Sequence, residues 1–346
     1  MQLSIIIPVY NVEEYIEKCV LSLQQQDIPN EEYEIIIIND GSPDNSREVV
    51  LRLMKQFTNI VFIEQENKGV SLARNAGIDK ATGDYILFID PDDYVEINSF
   101  NRILNLATES NADIVFLGFT FLNIDNSIKK EIFYSEEKGK VYQGIKAYAV
   151  SRGDGRTDPD RTVAILYKTS FINNAALRFI SDIPYLEDGE FIARILCLAE
   201  RCVFEGNSFY IRTTRPGSAT NSNLFYSEKS INGFIKAAIN LKIFSTKEQL
   251  SKEQKTFMNQ PIIKFVLLGM ESSFHISNWR RSLATKRKLA AFNLGWLSLD
   301  CVQPPFKIYG MLYNISPFCC IAYLFWRKLL VSVTIKLKRV TIFFHR

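Results

Sequence analysis

The sequence predicts an α/β fold: a mostly parallel sheet with helices on both faces, followed by a C-terminal helical appendage. Three observations predict it. Short β-branched runs alternate with amphipathic stretches through the first third of the chain. Each of these stretches opens where the carboxyl end of a strand turns. From about Leu224 onward the pattern is helical alone.

Taken in order, strands are expected at residues 3–9, 34–39, 60–64, 85–89 and 113–116, with helices near 12–26, 46–57, 70–81 and 97–110 between them. The edge where such strands end is where open α/β sheets bind ligands. Residues 117–215 hold shorter strands, a Gly- and Asp-rich loop at 153–160 and a helix starting near Asp188; from Lys307 the chain is basic and apolar. No internal repeat occurs.

Length and composition set the outer bounds. A chain of 346 residues with 47% hydrophobic residues buries a full core, as one large domain with an appendage or as two domains. The net charge of +3 hides an asymmetry: residues 301–346 carry seven Lys and Arg and no acid, which leaves −4 on residues 1–300. A basic tail on a slightly acidic body points to an anionic partner for the tail. The six cysteines show no repeated CxxC spacing and there are two histidines, so neither a zinc site nor a disulfide framework is expected. Cys19, inside an apolar-periodic helix, reads as a small buried hydrophobe. The chain enters a strand by Leu3 without a basic leader or cleavage site, so no secretory signal and a cytoplasmic location are expected.

Five strand or helix ends concentrate residues with chemistry. SIIIPVYN places Pro8, Tyr10 and Asn11 at the edge of the first strand, where an aromatic ring stacks on a flat base and a helix end favours anions. Many strands also end in such a turn without binding anything. EIIIINDGS delivers Asp40, an acceptor for the N3–H of uracil, though an Asx-turn uses the same residue. NKGVSLARNAG joins Gly69 to Lys68 and Arg74 at a helix start, a combination suited to a diphosphate; an ordinary surface charge is the alternative for Arg74. YILFIDPDD crowds Asp90, Asp92 and Asp93, whose repulsion a hard divalent cation relieves, unless the segment is only a solvated acidic turn. Downstream, PYLEDGEF sets Glu187 and Asp188 at a helix start, as caps, as a proton acceptor, or as both. There the helix dipole is expected to favour the ionised form of Asp188.

This ordered set of motifs resembles the family-2 glycosyltransferases of GT-A fold, the nucleotide-diphospho-sugar transferase fold, especially those of bacterial capsule, exopolysaccharide and O-antigen synthesis. The resemblance covers residues 1 to about 220. It implies that Pro8, Tyr10, Asn11 and Asp40, with the adjoining Gly41, hold a nucleotide base, beside the Lys68 and Arg74 that the residues themselves offer to the diphosphate. It implies further that Asp90 and Asp92 hold the ribose and a diphosphate-bound Mn²⁺ or Mg²⁺. Glu187 and Asp188, followed by Phe191, match the motif of the catalytic base, and YIRTTRPGSAT, set against the family's Y-x-x-R-x-G-S, supplies Arg215, Gly217 and Ser218 near the diphosphate. Ile97 departs from the family, which often has proline there.

The implied activity is metal-dependent, inverting transfer of a sugar from a UDP-sugar to a hydroxyl of a glycan acceptor, lipid-linked and without nucleic acid, with Asp188 removing the proton. The expected domains are 1–220 (a nucleotide half, 1–117, and an acceptor half, 118–220), a helical region 221–306, and a tail 307–346. In the tail, Trp326, Leu329, Leu330, Val333 and Leu337 recur opposite Arg327, Lys328, Lys336 and Arg339, the pattern of a helix lying in a membrane interface. That places the protein peripherally on the inner membrane face; a re-entrant or spanning segment, and the stripe docking on the catalytic domain, are the alternatives. Two rival functions remain. A sugar-1-phosphate nucleotidyltransferase wants a Gly-rich triphosphate loop that SIIIPVYN lacks, and a non-catalytic sugar-nucleotide-binding scaffold has no need of both Asp92 and Asp188.

Overall fold

Two apolar runs, Leu3–Val9 (β1) and Tyr33–Asp40 (β2), are buried at every residue, as strands covered on both faces must be. Their polar members are satisfied: Ser4 Oγ donates to Glu34 Oε1 at 2.7 Å, and the same oxygen accepts from Thr82. The computed structural model describes residues 1–152, 160–214, 223–275, 278–323 and 325–326. These fall into two compact units, Met1–Asn221 and Ser222–Arg346.

In the first unit the remaining strands are β3 (Ile60–Gln65), β4 (Tyr85–Phe88), β5 (Tyr94–Val95), β6 (Ile114–Leu122), β7 (Ile128–Ile132), β8 (Ile165–Lys168) and β9 (Cys202–Arg212). The helices are α1 (Ile16–Gln24), α2 (Ser46–Met54), α3 (Val70–Lys80), α4 (Phe100–Glu109), α5 (Gly144–Val150), α6 (Thr169–Asn174) and α7 (Glu187–Leu198). The sheet order is β3-β2-β1-β4-β8-β6-β9-β5, with β7 on β6. β3, β2, β1 and β4 run parallel, β8 is antiparallel to both β4 and β6, and β6 and β9 are again parallel. Helix α3 packs on β1 and β2. Gly77 permits that approach, because a Cβ there would lie 2.4 Å from Ile6 Cγ2.

Several expected elements have different bounds, and three of them have a visible local reason. The helix expected from residue 12 opens at Ile16, because Ser46 Oγ and Asp44 Oδ2 take the N–H groups of Val12 and Glu13 and Asn11 is left-handed at φ 55°. The helix expected from 97 opens at Phe100, after left-handed Asn98 and a bond from Ser99 N–H to Gln26 Oε1. The strand expected at 113–116 continues to Leu122, since β9 pairs along it as far as Phe121.

The second unit is helical: α8 (Glu228–Ser245), α9 (Lys252–Phe257), α10 (Asn259–Ser273), α11 (Arg280–Ala290) and α12 (Phe306–Ile315). Ser227 caps α8 by accepting from Ser230 N–H, and Ser251 with Gln254 forms a capping box on α9. Its core is the α8–α10 pair, with Phe234 and Phe265 buried. All six cysteines are free, and Cys19 is buried in α1. Among the described residues no helix is long and apolar enough to cross a membrane. The expected tail helix, at Leu324 and from Arg327 on, lies outside the described residues, as do Arg215, Gly217 and Ser218.

Candidate active site

The carboxyl ends of β1, β2 and β4 and the amino ends of α3 and α7 supply the expected site residues. At β1, Pro8 is buried in the strand while Tyr10 stands 48% exposed, with its ring accessible to a flat partner. Asn11 N–H reaches Ser42 Oγ at 3.4 Å, tying this turn to the one after β2.

Asp40 is 4% exposed and organises the loop before α3. Its Oδ1 accepts from Lys68 N at 2.8 Å and Gln65 Nε2 at 2.6 Å, and its Oδ2 from Gly69 N at 2.8 Å. Gly41 follows at φ 68°, where a Cβ would sit 2.9 Å from Asn67 N, so backbone angle and space both require glycine. Lys68 is exposed beside this loop.

Arg74, on α3 and 3% exposed, joins the two acidic motifs. Nη2 donates to Asp90 Oδ1 at 3.1 Å, and Nη1 donates to Glu187 Oε1 and Asp188 Oδ1, both at 2.9 Å. Burial opposes its charge, but Asp188, Asp90 and Glu187 together outweigh that and hold the guanidinium protonated. The sequence pattern offers this fork to a diphosphate, whereas in the fold it grips carboxylates.

The DPDD turn divides its acids. Asp93 is buried, with Oδ2 accepting from Tyr210 O–H and Oδ1 from Thr213 N–H, each at 2.7 Å; burial, then Asp92 and Asp90, push its carboxyl well up. It therefore fastens the end of β4 to the end of β9. Asp90 keeps 34% of its side chain exposed and Asp92 is half-buried, with its carbonyl accepting from Thr213 Oγ1. Among the described residues no group of three His, Cys, Asp or Glu forms a protein-only metal cage. Two hard, partly open carboxylates instead suit Mn²⁺ or Mg²⁺ whose remaining ligands are phosphate oxygens and water, the usual arrangement for Mg²⁺ at nucleotides.

At α7 the capping expectation is corrected. The N-cap is Leu186, left-handed at φ 59°, with no side-chain cap bond. Asp188 Oδ1 instead accepts from Arg74 and, at 2.8 Å, from Thr162 Oγ1. Nor does the helix dipole win: burial raises the Asp188 pKa against the pull of Arg74, and Asp90 raises it further. Burial and then Asp188 bring Glu187 up to about 7, with Arg74 opposing. Phe191 anchors this turn by stacking on Phe179 at 3.9 Å and meeting Phe88 of β4 edge-on.

Sequence reasoning missed Thr162, which no motif marks, and gave no role to Tyr210 and Thr213, although both lie in the YIRTTRPGSAT stretch. It also missed Arg212, whose charge lowers the Asp188 pKa; its place two residues after Tyr210 on β9 was the available signal.

The family model described as Glycosyl transferase family 2 matches residues 4–151. The uncharacterized glycosyltransferase EpsJ of Bacillus subtilis (strain 168) is 34% identical over 228 residues, covering 63% of this chain and 62% of that protein, so the chain spans less than two thirds of EpsJ. Glycosyltransferase GlyG of Streptococcus pneumoniae serotype 4 is 30% identical over 220 residues, covering 62% of this chain and 72% of that protein. The crystal structure of S. aureus TarS 1-349 in complex with UDP-GlcNAc superposes with a TM-score of 0.72 at 17% identity, covering 95% of this chain and 92% of that one, and so shares the fold.

Proposed function

The chain belongs to glycosyl transferase family 2, and on that premise we propose that it moves a sugar, with inversion, from a UDP-sugar to a hydroxyl of a glycan acceptor in surface-polysaccharide synthesis. The observation that carries this reading is the buried Arg74, which brings Asp90 of the nucleotide-side turn and Glu187 and Asp188 of α7 into one cluster. A binding scaffold has no need of a carboxylate so placed.

In this reading Tyr10 and Asn11 flank the base, and Asp40 with Gly41 shapes the loop that meets it. Lys68, exposed at the start of α3, faces the diphosphate, where Arg215 is a further contact. The acceptor hydroxyl attacks the anomeric carbon from the side opposite the leaving UDP. A new C–O bond forms as the bond to the β-phosphate oxygen breaks. Asp188 Oδ takes the hydroxyl proton, held in place by Arg74 and Thr162. Burial raises the affinity of this carboxylate for the proton it must accept. Asp92 and Asp90 would hold Mn²⁺ or Mg²⁺, which neutralises charge on the departing diphosphate. A single displacement needs no covalent sugar–enzyme intermediate.

Residues 1–117 then serve the nucleotide and 118–220 the acceptor. A lipid-linked acceptor would place the chain at the inner membrane face, with residues 307–346 as the contact. TarS bound to UDP-GlcNAc supports a UDP-sugar donor. The test is a panel of nucleotide sugars with Mn²⁺, read by thermal protection and by UDP release with and without acceptor glycans. Protection by a UDP-sugar together with acceptor-dependent UDP release is expected. Protection only by nucleoside triphosphates with pyrophosphate release would instead select the nucleotidyltransferase.

A further inference from the structure

The unit Ser222–Arg346 carries an apolar surface that its described packing leaves open. In α12, Tyr309, Gly310 and Tyr313 are buried, while Ile308, Met311 and Ile315, spaced i, i+3 and i+7, are 48%, 48% and 70% exposed. Phe318 follows at 58% and meets the exposed ring of Trp279 at 5.8 Å. No charged residue occurs between Lys307 and Arg327. A helix packed on a soluble body turns a polar face outward; this one is apolar on both sides, which marks an interaction surface.

Charge identifies the partner. Lys286 of α11 donates to the Tyr313 carbonyl at 2.6 Å, and the Trp279 that precedes α11 touches Phe318, so the apolar segment is tied to a basic one. Arg287 and Lys288 of α11 remain exposed. Residues 272–346 contain twelve Lys and Arg and one acid, Asp300. A second copy of this surface would meet its own positive charge and be repelled. An anionic bilayer satisfies both features, since apolar side chains enter the headgroup–acyl boundary while cations meet the headgroups. Ten residues of helix reach only about 15 Å, half of a hydrocarbon core of about 30 Å, so α12 lies along the interface.

We propose that Ile308, Met311, Ile315 and Phe318, in a unit whose α11 exposes the cations Arg287 and Lys288, form a docking surface for anionic membranes. This rests on the reading that the chain works at a membrane, and within residues 307–346 it moves the contact from the stripe that begins at Trp326 to α12 and Phe318.

The test is co-sedimentation of the full chain with phosphatidylcholine vesicles, with and without phosphatidylglycerol. Wild type is expected on the anionic vesicles and scarcely on the neutral ones. Combining Ile308→Ser, Met311→Ser, Ile315→Ser and Phe318→Ser should lower that partition at least about tenfold at unchanged melting temperature. Arg287→Gln with Lys288→Gln, which leaves the apolar face intact, should cost roughly fivefold per charge on anionic vesicles; this pair keeps the test decisive where the first variant fails to fold. Variants that bind like wild type overturn the α12 surface and leave the membrane reading to the tail. Wild type that binds neither vesicle overturns both. A solution dimer that the serine variant splits assigns the face to a second copy. A lower melting temperature with unchanged vesicle binding assigns it to the chain's own packing. Either result also overturns the proposal.

Discussion

Arg74 Nη1 lies 2.9 Å from Asp188 Oδ1, linking residues 114 positions apart. The same guanidinium holds Asp90, so one side chain sets the spacing between the nucleotide-side acid and the proposed base. A bidentate fork suits that task and a point charge does not.

Asp188→Asn should isolate proton removal. The amide oxygen still accepts from Arg74 and Thr162, so the fold and the Kd for UDP should hold. kcat should fall by roughly 10²–10⁴, the usual worth of a general base. Near-wild-type turnover in a UDP-release assay would falsify the assignment.

Replacing Arg74 should separate charge from geometry. Arg74→Ala leaves three carboxylates without their cation, a loss of about 3–5 kcal/mol or roughly 10 °C in Tm. Arg74→Lys keeps the charge but not the fork. It should therefore melt closer to wild type while kcat drops more than UDP affinity. Equal losses in kcat and in UDP affinity would point to a direct diphosphate contact instead.

Asp92→Ala tests the cation. Titration calorimetry with UDP should show wild-type affinity rising on addition of Mn²⁺ and the variant indifferent to it. A wild type equally indifferent would remove the metal from Asp90 and Asp92.

Glu187 makes stability depend on pH. Its carboxyl is raised from an ordinary 4.5 to about 7, so the folded state holds the proton more tightly than the unfolded chain. That stabilisation is complete below about pH 4.5 and lost as pH rises through about 7. Glu187→Gln removes the titration, so wild-type Tm should fall relative to the variant between about pH 5 and 8. Parallel Tm curves would show that Arg74 keeps Glu187 ionised throughout.

Much of this protein is determined locally. Runs such as Ser4–Val9 and Glu34–Asn39 are apolar enough to be strands buried on both faces, and each ends in the Asp, Asn or Gly that a turn into a helix requires. The sheet edge expected to bind, and the presence of Tyr10, Asp40 and Asp90 on it, follow from that order alone. Bounds of α1 and α4 did not follow, because Ser46, Asp44 and Gln26 take backbone N–H groups that periodicity assigns to the helices. Nor did the division of labour in DPDD, where identical carboxylates become a buried fastener at Asp93 and partly exposed groups at Asp90 and Asp92. Tyr210 and Thr213 decide that from 117 and 120 residues away. Similarly, Asp188 reads as a helix cap from its neighbours alone. Only packing brings Thr162 and Arg74 within hydrogen-bond range, because a side chain's protonation and aim depend on the charges and burial around it, which sequence neighbours do not specify.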